Sequence, residues 1–319
     1  MKNRGARPSS VPPTPMSVSK ATPPPRRAER PPWHFRLAMT LIRRQIRGGY
    51  RLVDTARRLG WLNVVVPYTV GKGPALDVPL YRPENFMSDR EAREYEAPAI
   101  ALLAAEIGRR PAPVTLVDCG ADIGLVSALL LDRCPNVTRV IAFEPNLEAF
   151  PILKANIERL SPAGECHATA VSDFSGRAEL RNPRPGTTGH ARFIVSCPDG
   201  DVPVMRVDDL EIDPGHGVVL KIDVEGAELG VLRGAVRTLG SAAWFAVLFE
   251  AHPEVARRTG IDPIECVRLL GSLGACRFQI AEAPEIRLVD DRPFFDQVPQ
   301  QICNVVCVAD SPSPRARQA

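Results

Sequence analysis

Acidic side chains close a series of short apolar segments in this chain. Four such segments end in a carboxylate and a shorter fifth segment adds another; the five acids are Asp118, Glu144, Asp173, Asp223 and Glu250. Carboxylates accept hydrogen bonds from hydroxyl and amine groups. One such acid could simply cap a helix. Five of them, at segments that read as parallel strands, predict one sheet edge that binds a polar ligand with several donors.

The turn after the first of these segments narrows the class of ligand. It reads Val-Asp-Cys-Gly-Ala-Asp-Ile-Gly over 117–124. Gly120 permits a tight turn, and Gly124 lets the next helix lie close to the strand. The dehydrogenase pattern Gly-x-Gly-x-x-Gly is absent, and Asp122 would repel a pyrophosphate at a helix N-terminus. The same aspartate suits a cation, so the turn favours a phosphate-free sulfonium nucleoside, S-adenosylmethionine.

Two further loops supply candidates for the rest of that ligand. Glu144 lies 26 residues after Asp118, a separation at which a carboxylate can accept both ribose hydroxyls. Asn146 follows in the same loop, and Asp173 beside Ser172 could accept a hydrogen bond from the adenine amino group. The predicted cofactor-binding residues are Asp118, Gly120, Ala121, Asp122, Gly124, Glu144, Asn146, Ser172 and Asp173.

Apolar strands alternating with amphipathic helices must position these residues. Strands are predicted at 114–118, 139–144, 167–171, 218–223, 244–250, 275–280 and 302–308. Helices are predicted at 123–131, 147–160, 227–239 and 264–273, and a strand-rich excursion at 177–207. Near-continuous apolar strands separated by helices indicate an α/β fold, with a parallel sheet covered on both faces.

Composition divides the chain of 319 residues into a basic end and an acidic body. The net charge is +3, but residues 1–60 carry 14 Lys and Arg against two acids. We predict a disordered Pro/Arg-rich tail at 1–32, because its nine prolines and few large apolar residues cannot form a core. A basic helical extension and substrate-side lid follows at 33–110, the cofactor-binding catalytic domain at 111–310, and a flexible tail at 311–319.

The basic extension reads as two amphipathic helices separated by Gly48 and Gly49. A basic amphipathic pair can bind an anionic membrane or a nucleic acid. The alternative is a helical extension that packs on the main domain and leaves its arginines in solvent. Sparse aromatic residues disfavour base stacking. We therefore expect packing on the main domain, with weak contact of residues 34–60 to an anionic surface and no binding of nucleic acid.

Three stretches of the chain resemble the FkbM-type S-adenosylmethionine-dependent methyltransferases. They are the turn at 117–124, the segment Ala-Phe-Glu-Pro-Asn at 142–146, and the segment at 220–235 that begins Leu-Lys-Ile-Asp-Val-Glu-Gly. The resemblance covers roughly 81–309. It implies a Rossmann-like class I methyltransferase fold with a mostly parallel seven-stranded sheet, and methyl transfer usually to oxygen. Two residues depart from the family pattern: Asp122 replaces a common Asn, and Gly230 replaces a larger residue.

Methyl transfer to a hydroxyl requires close alignment and a base that removes the hydroxyl proton. The candidate catalytic residues are Asp223 and Glu225 after the fourth predicted strand, and His252 after the fifth. The two acids could instead cap the following helix, and His252 could be an ordinary turn residue. The acids could also hold a magnesium ion that activates the acceptor, although we assign no metal ligands.

These features predict an O-methyltransferase acting on a small molecule or a carbohydrate hydroxyl, with S-adenosylmethionine as cofactor. Two alternatives stay open: a nucleotide-sugar or NAD-dependent enzyme on a similar sheet, and a non-catalytic binding protein recruited by its basic N-terminus. The eight cysteines include no Cys-x-x-Cys pair. They therefore indicate reduced thiols and a cytoplasmic protein without a zinc site.

Overall fold

A computed structural model describes residues 25–82, 85, 87–181, 193–299 and 301–312. The strands are β1 Arg26–Arg27, β2 Val64–Tyr68, β3 Leu76–Pro79, β4 Val114–Cys119, β5 Val137–Phe143, β6 Glu165–His167, β7 Ala170–Val171, β8 Gly176–Arg181, β9 Phe193–Ser196, β10 Val202–Met205, β11 Gly217–Ile222, β12 Trp244–Ala251, β13 Gly274–Ile280 and β14 Cys303–Pro312. The helices are α1 Trp33–Arg43, α2 Gly49–Arg58, α3 Asp89–Arg93, α4 Ala97–Gly108, α5 Leu125–Arg133, α6 Phe150–Leu160, α7 Glu228–Arg233, α8 Val236–Ser241, α9 Pro253–Thr259, α10 Ile264–Ser272 and α11 Phe294–Gln297.

Seven of these strands form the central sheet, in the order β13-β14-β12-β11-β4-β5-β6. All neighbours from β12 to β6 pair in parallel, whereas β14 runs antiparallel between β12 and β13. The strand order reverses on either side of β4, since β5 lies on one side and β11 on the other. A crevice at the carboxyl ends of β4, β5 and β11 is where such sheets bind ligands. The predicted α/β fold with a mostly parallel seven-stranded sheet is confirmed.

Alternate side chains of the central strands pack in two separate hydrophobic clusters, one on each face of the sheet. Leu116 of β4 packs in the cluster that contains α4, α5 and α6, while its neighbour Val117 packs with α7, α8 and α10. This alternation follows from the two-residue period of a strand. Both faces are therefore covered by helices, as the continuous apolar strands indicated.

The third predicted strand, at 167–171, is wrong as a single element. β6 ends at His167 on the edge of the central sheet, and the chain then enters a second, four-stranded sheet with the order β7-β10-β8-β9. The excursion at 177–207 forms most of this second sheet. The predicted helix at 227–239 is divided into α7 and α8. Its break lies at Gly234, where a Cβ would come within 2.1 Å of the Ser172 carbonyl oxygen.

The N-terminal part carries more strand than its sequence indicated. β1, β2 and β3 form a three-stranded sheet, so residues 26–27 of the predicted disordered tail pair with β2. Residues 1–24 of that tail lie outside the described residues, as do residues 313–319 of the predicted C-terminal tail, while β14 extends to Pro312. The two predicted helices are present as α1 and α2, and their buried residues share one cluster with those of the central sheet. No helix within the described ranges combines the length and apolar character needed to cross a bilayer.

Candidate functional site

The turn between β4 and α5 is held tightly against two neighbouring strands. The amides of Gly120 and Ala121 both donate to the carbonyl oxygen of Phe143, over 3.0 and 2.9 Å. Gly120 has φ +77°, and a Cβ there would lie 1.8 Å from the carbonyl oxygen of Asp223. Only glycine fits that combination of conformation and space. Gly124, with φ +84°, immediately precedes α5. Both glycines therefore adopt the left-handed conformation that glycine favours.

Glu144 faces this turn from the end of β5, with both carboxylate oxygens held by backbone amides. Oε2 accepts from the amide of Asp122 over 2.9 Å, and Oε1 accepts from the amide of Asn146 over 2.8 Å. Burial raises the pKa of Glu144 to about 7 and the charge of Asp122 adds to the rise, against the lowering effect of the two amides. Each oxygen keeps a second lone pair for another donor.

Asp122 occupies the left-handed region, with φ +46°. Asn and Asp tolerate this conformation better than other residues with side chains, so an aspartate can replace the family's common asparagine there. Its carboxylate forms an ion pair with Arg82, over 2.5 Å. The Arg82 guanidinium is buried, which makes this pair a fixed part of the site wall.

A buried lysine lies beneath the turn. Lys221 Nζ lies 3.3 Å from Asp118 Oδ1 and 3.6 Å from Asp223 Oδ2, and it donates to the Gly120 carbonyl over 2.6 Å. Burial alone would lower the pKa of Lys221, but Asp118, Asp223 and other nearby acids raise it, so the ammonium stays charged. Asp118 is fully buried and also accepts from Ser127 Oγ over 2.6 Å. Asp118 therefore supports the turn from below.

A cavity of about 350 Å³ opens above the turn at the carboxyl edge of the sheet. The predicted residues that line it are Gly120, Asp122, Glu144, Asn146, Asp223 and Glu225. Its volume falls in the range of small-molecule sites. Apolar residues of the second sheet and its approach, including Val171, Leu180 and Ile194, form another part of the wall. The cavity thus combines a carboxylate wall with an apolar one.

Several half-buried acids lie near Asp223, at and beside this cavity. Burial, together with the charges of Asp223 and Glu228, raises the pKa of Glu225 to about 7. Burial and then Asp223 raise the pKa of Glu250 to about 8. Within the described residues, no group of three His, Cys, Asp or Glu side chains is arranged to hold a metal ion. The magnesium alternative therefore finds no ready ligand set among them.

Six predicted residues lie outside the cavity lining: Asp118, Ala121 and Gly124, which belong to the turn and its support, and Ser172, Asp173 and His252. His252 caps α9 by accepting the Glu254 amide at Nδ1 over 3.0 Å, and it borders a separate, much smaller recess. Asp173 is exposed, and Ser172 Oγ donates to its Oδ1 over 3.3 Å. The presence of glycine at position 230 instead of a larger residue follows from its close contact with Ser172, because a Cβ there would lie 2.8 Å from Ser172 Oγ.

The sequence analysis predicted a substrate-side lid at 33–110 but named none of the residues that this part contributes to the cavity. Arg57 of α2, with Tyr81 and Arg82 after β3, lines the wall. No local motif marks these residues, since they reach the site only through tertiary packing of the extension. Thr169, between β6 and β7, was missed because the two strands were read as one.

The part of the sequence that contains most of the cavity-lining residues matches the model of one protein family. The methyltransferase FkbM domain matches residues 118–280, about half of the chain. The match runs from Asp118 in β4 to the end of β13. This chain belongs to the FkbM methyltransferase family. The resemblance carried by the turn and by the segments at 142–146 and 220–235 is thereby confirmed.

One curated relative of this FkbM domain protein is the hexuronic acid methyltransferase AglP of Haloferax volcanii. The two are 28% identical over 159 residues, which cover 49% of this chain and 60% of the relative. The match thus spans less than two thirds of that relative's length.

Two solved structures are similar to this FkbM chain at low identity. The N-terminal domain of human METTL16 in complex with S-adenosylhomocysteine is 12% identical, with 74% of this chain and 75% of that chain covered and a TM-score of 0.38. An S-adenosylmethionine-dependent O-methyltransferase of Thermotoga maritima is 10% identical, with coverage of 66% and 64% and a TM-score of 0.35.

Proposed function

We propose that this FkbM-family chain is an S-adenosylmethionine-dependent methyltransferase that methylates an oxygen atom of a carbohydrate. One observation carries the proposal: the Glu144 carboxylate lines the cavity beside the Gly120 turn, with each oxygen oriented by a backbone amide. A carboxylate fixed in this way is suited to two adjacent hydroxyl donors, such as those of a ribose. The family match supports the same cofactor.

The cavity walls fit the parts of such a cofactor. The Glu144 carboxylate would accept hydrogen bonds from the ribose hydroxyls. Asp122 and Asp223 would face the positive charges of the sulfonium and ammonium groups. These carboxylates attract such cations, whereas they would repel a phosphate. Val171 and Leu180 offer an apolar surface to the adenine ring. Arg82, held by Asp122, is a cation in the same wall that could pair with the cofactor's carboxylate.

Glu225 is the residue best placed to take the acceptor's proton. When bound, S-adenosylmethionine supplies an electrophilic methyl group, and the acceptor oxygen must lose its proton during transfer. Glu225 lines the cavity, and its pKa of about 7 matches a general base at neutral pH. Its backbone lies in the left-handed region, with φ +57°. Arg258 donates a hydrogen bond to the Glu225 carbonyl oxygen over 2.7 Å and so holds this backbone in place. Asp223 lines the same wall and would orient the acceptor.

A carbohydrate acceptor is favoured by the relative named a hexuronic acid methyltransferase. Arg57 adds a cation to the cavity lining and could pair with an acidic sugar. The test incubates the full chain with methyl-labelled cofactor and a panel of neutral hexoses, hexuronic acids, phenols and RNA oligonucleotides. We expect labelled sugar, identified by mass spectrometry as an O-methyl product. Transfer to RNA alone, or cofactor binding with no transfer to any sugar, would contradict the proposal.

A further inference from the structure

Exposed apolar side chains are concentrated in the N-terminal helices. Among the described residues ten large hydrophobic side chains are exposed, and six of them lie within 33–61. These six are Trp33, Leu37, Ile46, Tyr50, Leu59 and Trp61. Trp33 is 67% exposed, Tyr50 73% and Trp61 50%. Scattered exposed apolar residues need no explanation, but a concentration that includes three aromatic rings points to a binding surface.

The helical geometry explains why these side chains face outward. α1 buries Phe35, Ala38 and Met39. At 100° per residue, Trp33 and Leu37 lie on the opposite side of that helix. α2 packs against α1, and the His34 ring lies 5.6 Å from the Trp61 ring just beyond the end of α2. The two helices therefore form a hairpin that brings Trp33, His34 and Trp61 together at one end.

Unpaired arginines accompany these apolar residues. Arg36, Arg44, Arg47 and Arg51 are all exposed. None of the four has an ion-pair partner in the ranges that the structure describes. Asp54 is the one acid of residues 33–61, and it is paired with two arginines of its own helix. We call this set the hairpin surface: the six exposed apolar residues together with these four arginines.

We propose that the hairpin surface binds an anionic lipid membrane as a peripheral contact. Aromatic rings partition to the membrane interface, and basic side chains are attracted to anionic headgroups. The aliphatic Leu37, Ile46 and Leu59 favour a membrane over a nucleic acid, since they can enter the acyl boundary but cannot stack on bases. α1 and α2, with 11 and 10 residues, are too short to span a bilayer, so at a membrane they would lie on its surface.

The hairpin surface is joined directly to the proposed catalytic cavity. Arg57 of α2 lines that cavity, and Leu59 of the hairpin surface follows it by two residues. A protein docked through this hairpin would hold the cavity close to the lipid surface. The inference does not depend on the proposed methyl transfer, because membrane binding can be measured without cofactor or acceptor.

The test measures partition of the full chain into phosphatidylcholine vesicles with and without 30 mol% phosphatidylglycerol, by flotation. Arg36→Gln, Arg44→Gln and Arg47→Gln are combined in one variant, and Trp33→Ser and Trp61→Ser in a second. Both sets change exposed side chains, so the fold is expected to persist and circular dichroism checks it. Arg287→Gln with Val289→Ser is the matched control, since both residues are exposed and lie far along the chain from the hairpin.

We expect binding to anionic vesicles that falls with added salt. Each arginine near such a surface contributes about fivefold to partition, so the triple variant should bind about 100-fold more weakly. The tryptophan variant should also lose binding, and the wild-type emission should shift to the blue on binding, since Trp244 is already buried. The control should bind as wild type.

Five results would each overturn the inference. The first is no binding, and the second is equal binding to neutral vesicles. The third is full binding by both hairpin variants, which would assign the interaction to the basic segment at 1–24. The fourth is tighter binding to RNA than to vesicles. The fifth is that the variants lose a dimer but keep their vesicle binding.

Discussion

Glu144→Gln should weaken cofactor binding while leaving the chain folded. The wild-type carboxylate accepts one amide on each oxygen, from Asp122 and from Asn146. Glutamine keeps the shape of the side chain but has a single oxygen acceptor, so its amide group must turn its N–H donors toward one of those two backbone amides. The ribose hydroxyls then lose a charged acceptor, and one of them loses its acceptor altogether.

The magnitude follows from the strength of hydrogen bonds to a charged group. Such bonds contribute about 1.5–3 kcal/mol each, compared with about 1 kcal/mol between neutral groups. A loss of about 1.5–3 kcal/mol corresponds to about a tenfold to 100-fold increase in the dissociation constant. Leaving a backbone amide of the turn without its acceptor would also lower the free energy of unfolding by about 1–3 kcal/mol.

The pKa of Glu144 adds a dependence on pH with a definite sign. Burial raises that pKa to about 7, so near neutral pH about half of the cofactor-free protein is protonated at this residue. Binding to hydroxyl donors and a cation favours the ionised form, so it lowers the pKa and releases protons. Affinity should therefore fall as the pH drops below about 7, by up to about tenfold per pH unit. Because glutamine does not titrate, Glu144→Gln should remove much of this dependence.

Isothermal titration calorimetry with S-adenosylhomocysteine at pH 6, 7 and 8 measures both effects. Glu158→Gln is the matched control, because Glu158 is 60% exposed on α6 and does not line the cavity. Thermal unfolding verifies that each variant is folded. If folded Glu144→Gln binds the cofactor product as tightly as wild type and with the same pH dependence, Glu144 does not hold the ribose and the reasoning is refuted.

Three other changes test the rest of the site. Lys221→Met leaves the buried Asp118 without its cation and should cost about 3–5 kcal/mol of unfolding free energy in urea titrations; a loss below about 1 kcal/mol would contradict the buried-pair interpretation. Glu225→Gln should lower kcat by about 10²–10⁴-fold with cofactor affinity nearly unchanged, and the wild-type rate should rise with pH to a plateau above about 7; an unaltered kcat would exclude Glu225 as the base. Gly120→Ala should abolish cofactor binding, because the new Cβ collides with backbone at a positive φ, whereas Gly271→Ala in open space on α10 should bind normally; binding by the first variant would show that the turn can rearrange.

The alternating pattern of apolar strands and helices was sufficient to predict most strands of the central sheet. β4, β5, β11 and β12 coincide with predicted strands to within two residues at each end. Their terminal acids meet at one edge because the strands are parallel. Glu144 and Asp223 could therefore be assigned to the cavity before its shape was known.

The errors arose where tertiary contacts override the local pattern. The chain between β6 and β7 changes sheet within two residues, which leaves no break in its apolar character. β2 and β3 were missed because the whole segment at 33–110 was interpreted as helical from the two basic amphipathic helices at its start. Histidine is a residue type that can act as a base, but the ring of His252 caps α9, a helix that the sequence analysis did not predict.

Lys221 was overlooked for a different reason. In the sequence it is one polar residue inside an apolar strand, and nothing local shows that it lies under Gly120 between two acids. Arg82 likewise reaches Asp122 from 40 residues away in the chain. Such long-range ion pairs require the fold itself.

A crystal structure of the chain grown with S-adenosylhomocysteine is the most direct test of the account. The account predicts the nucleoside in the cavity above Gly120, with its ribose hydroxyls donating to the Glu144 carboxylate and its amino group toward the acids of the turn. A nucleoside bound elsewhere, or one whose ribose makes no contact with Glu144, would contradict it.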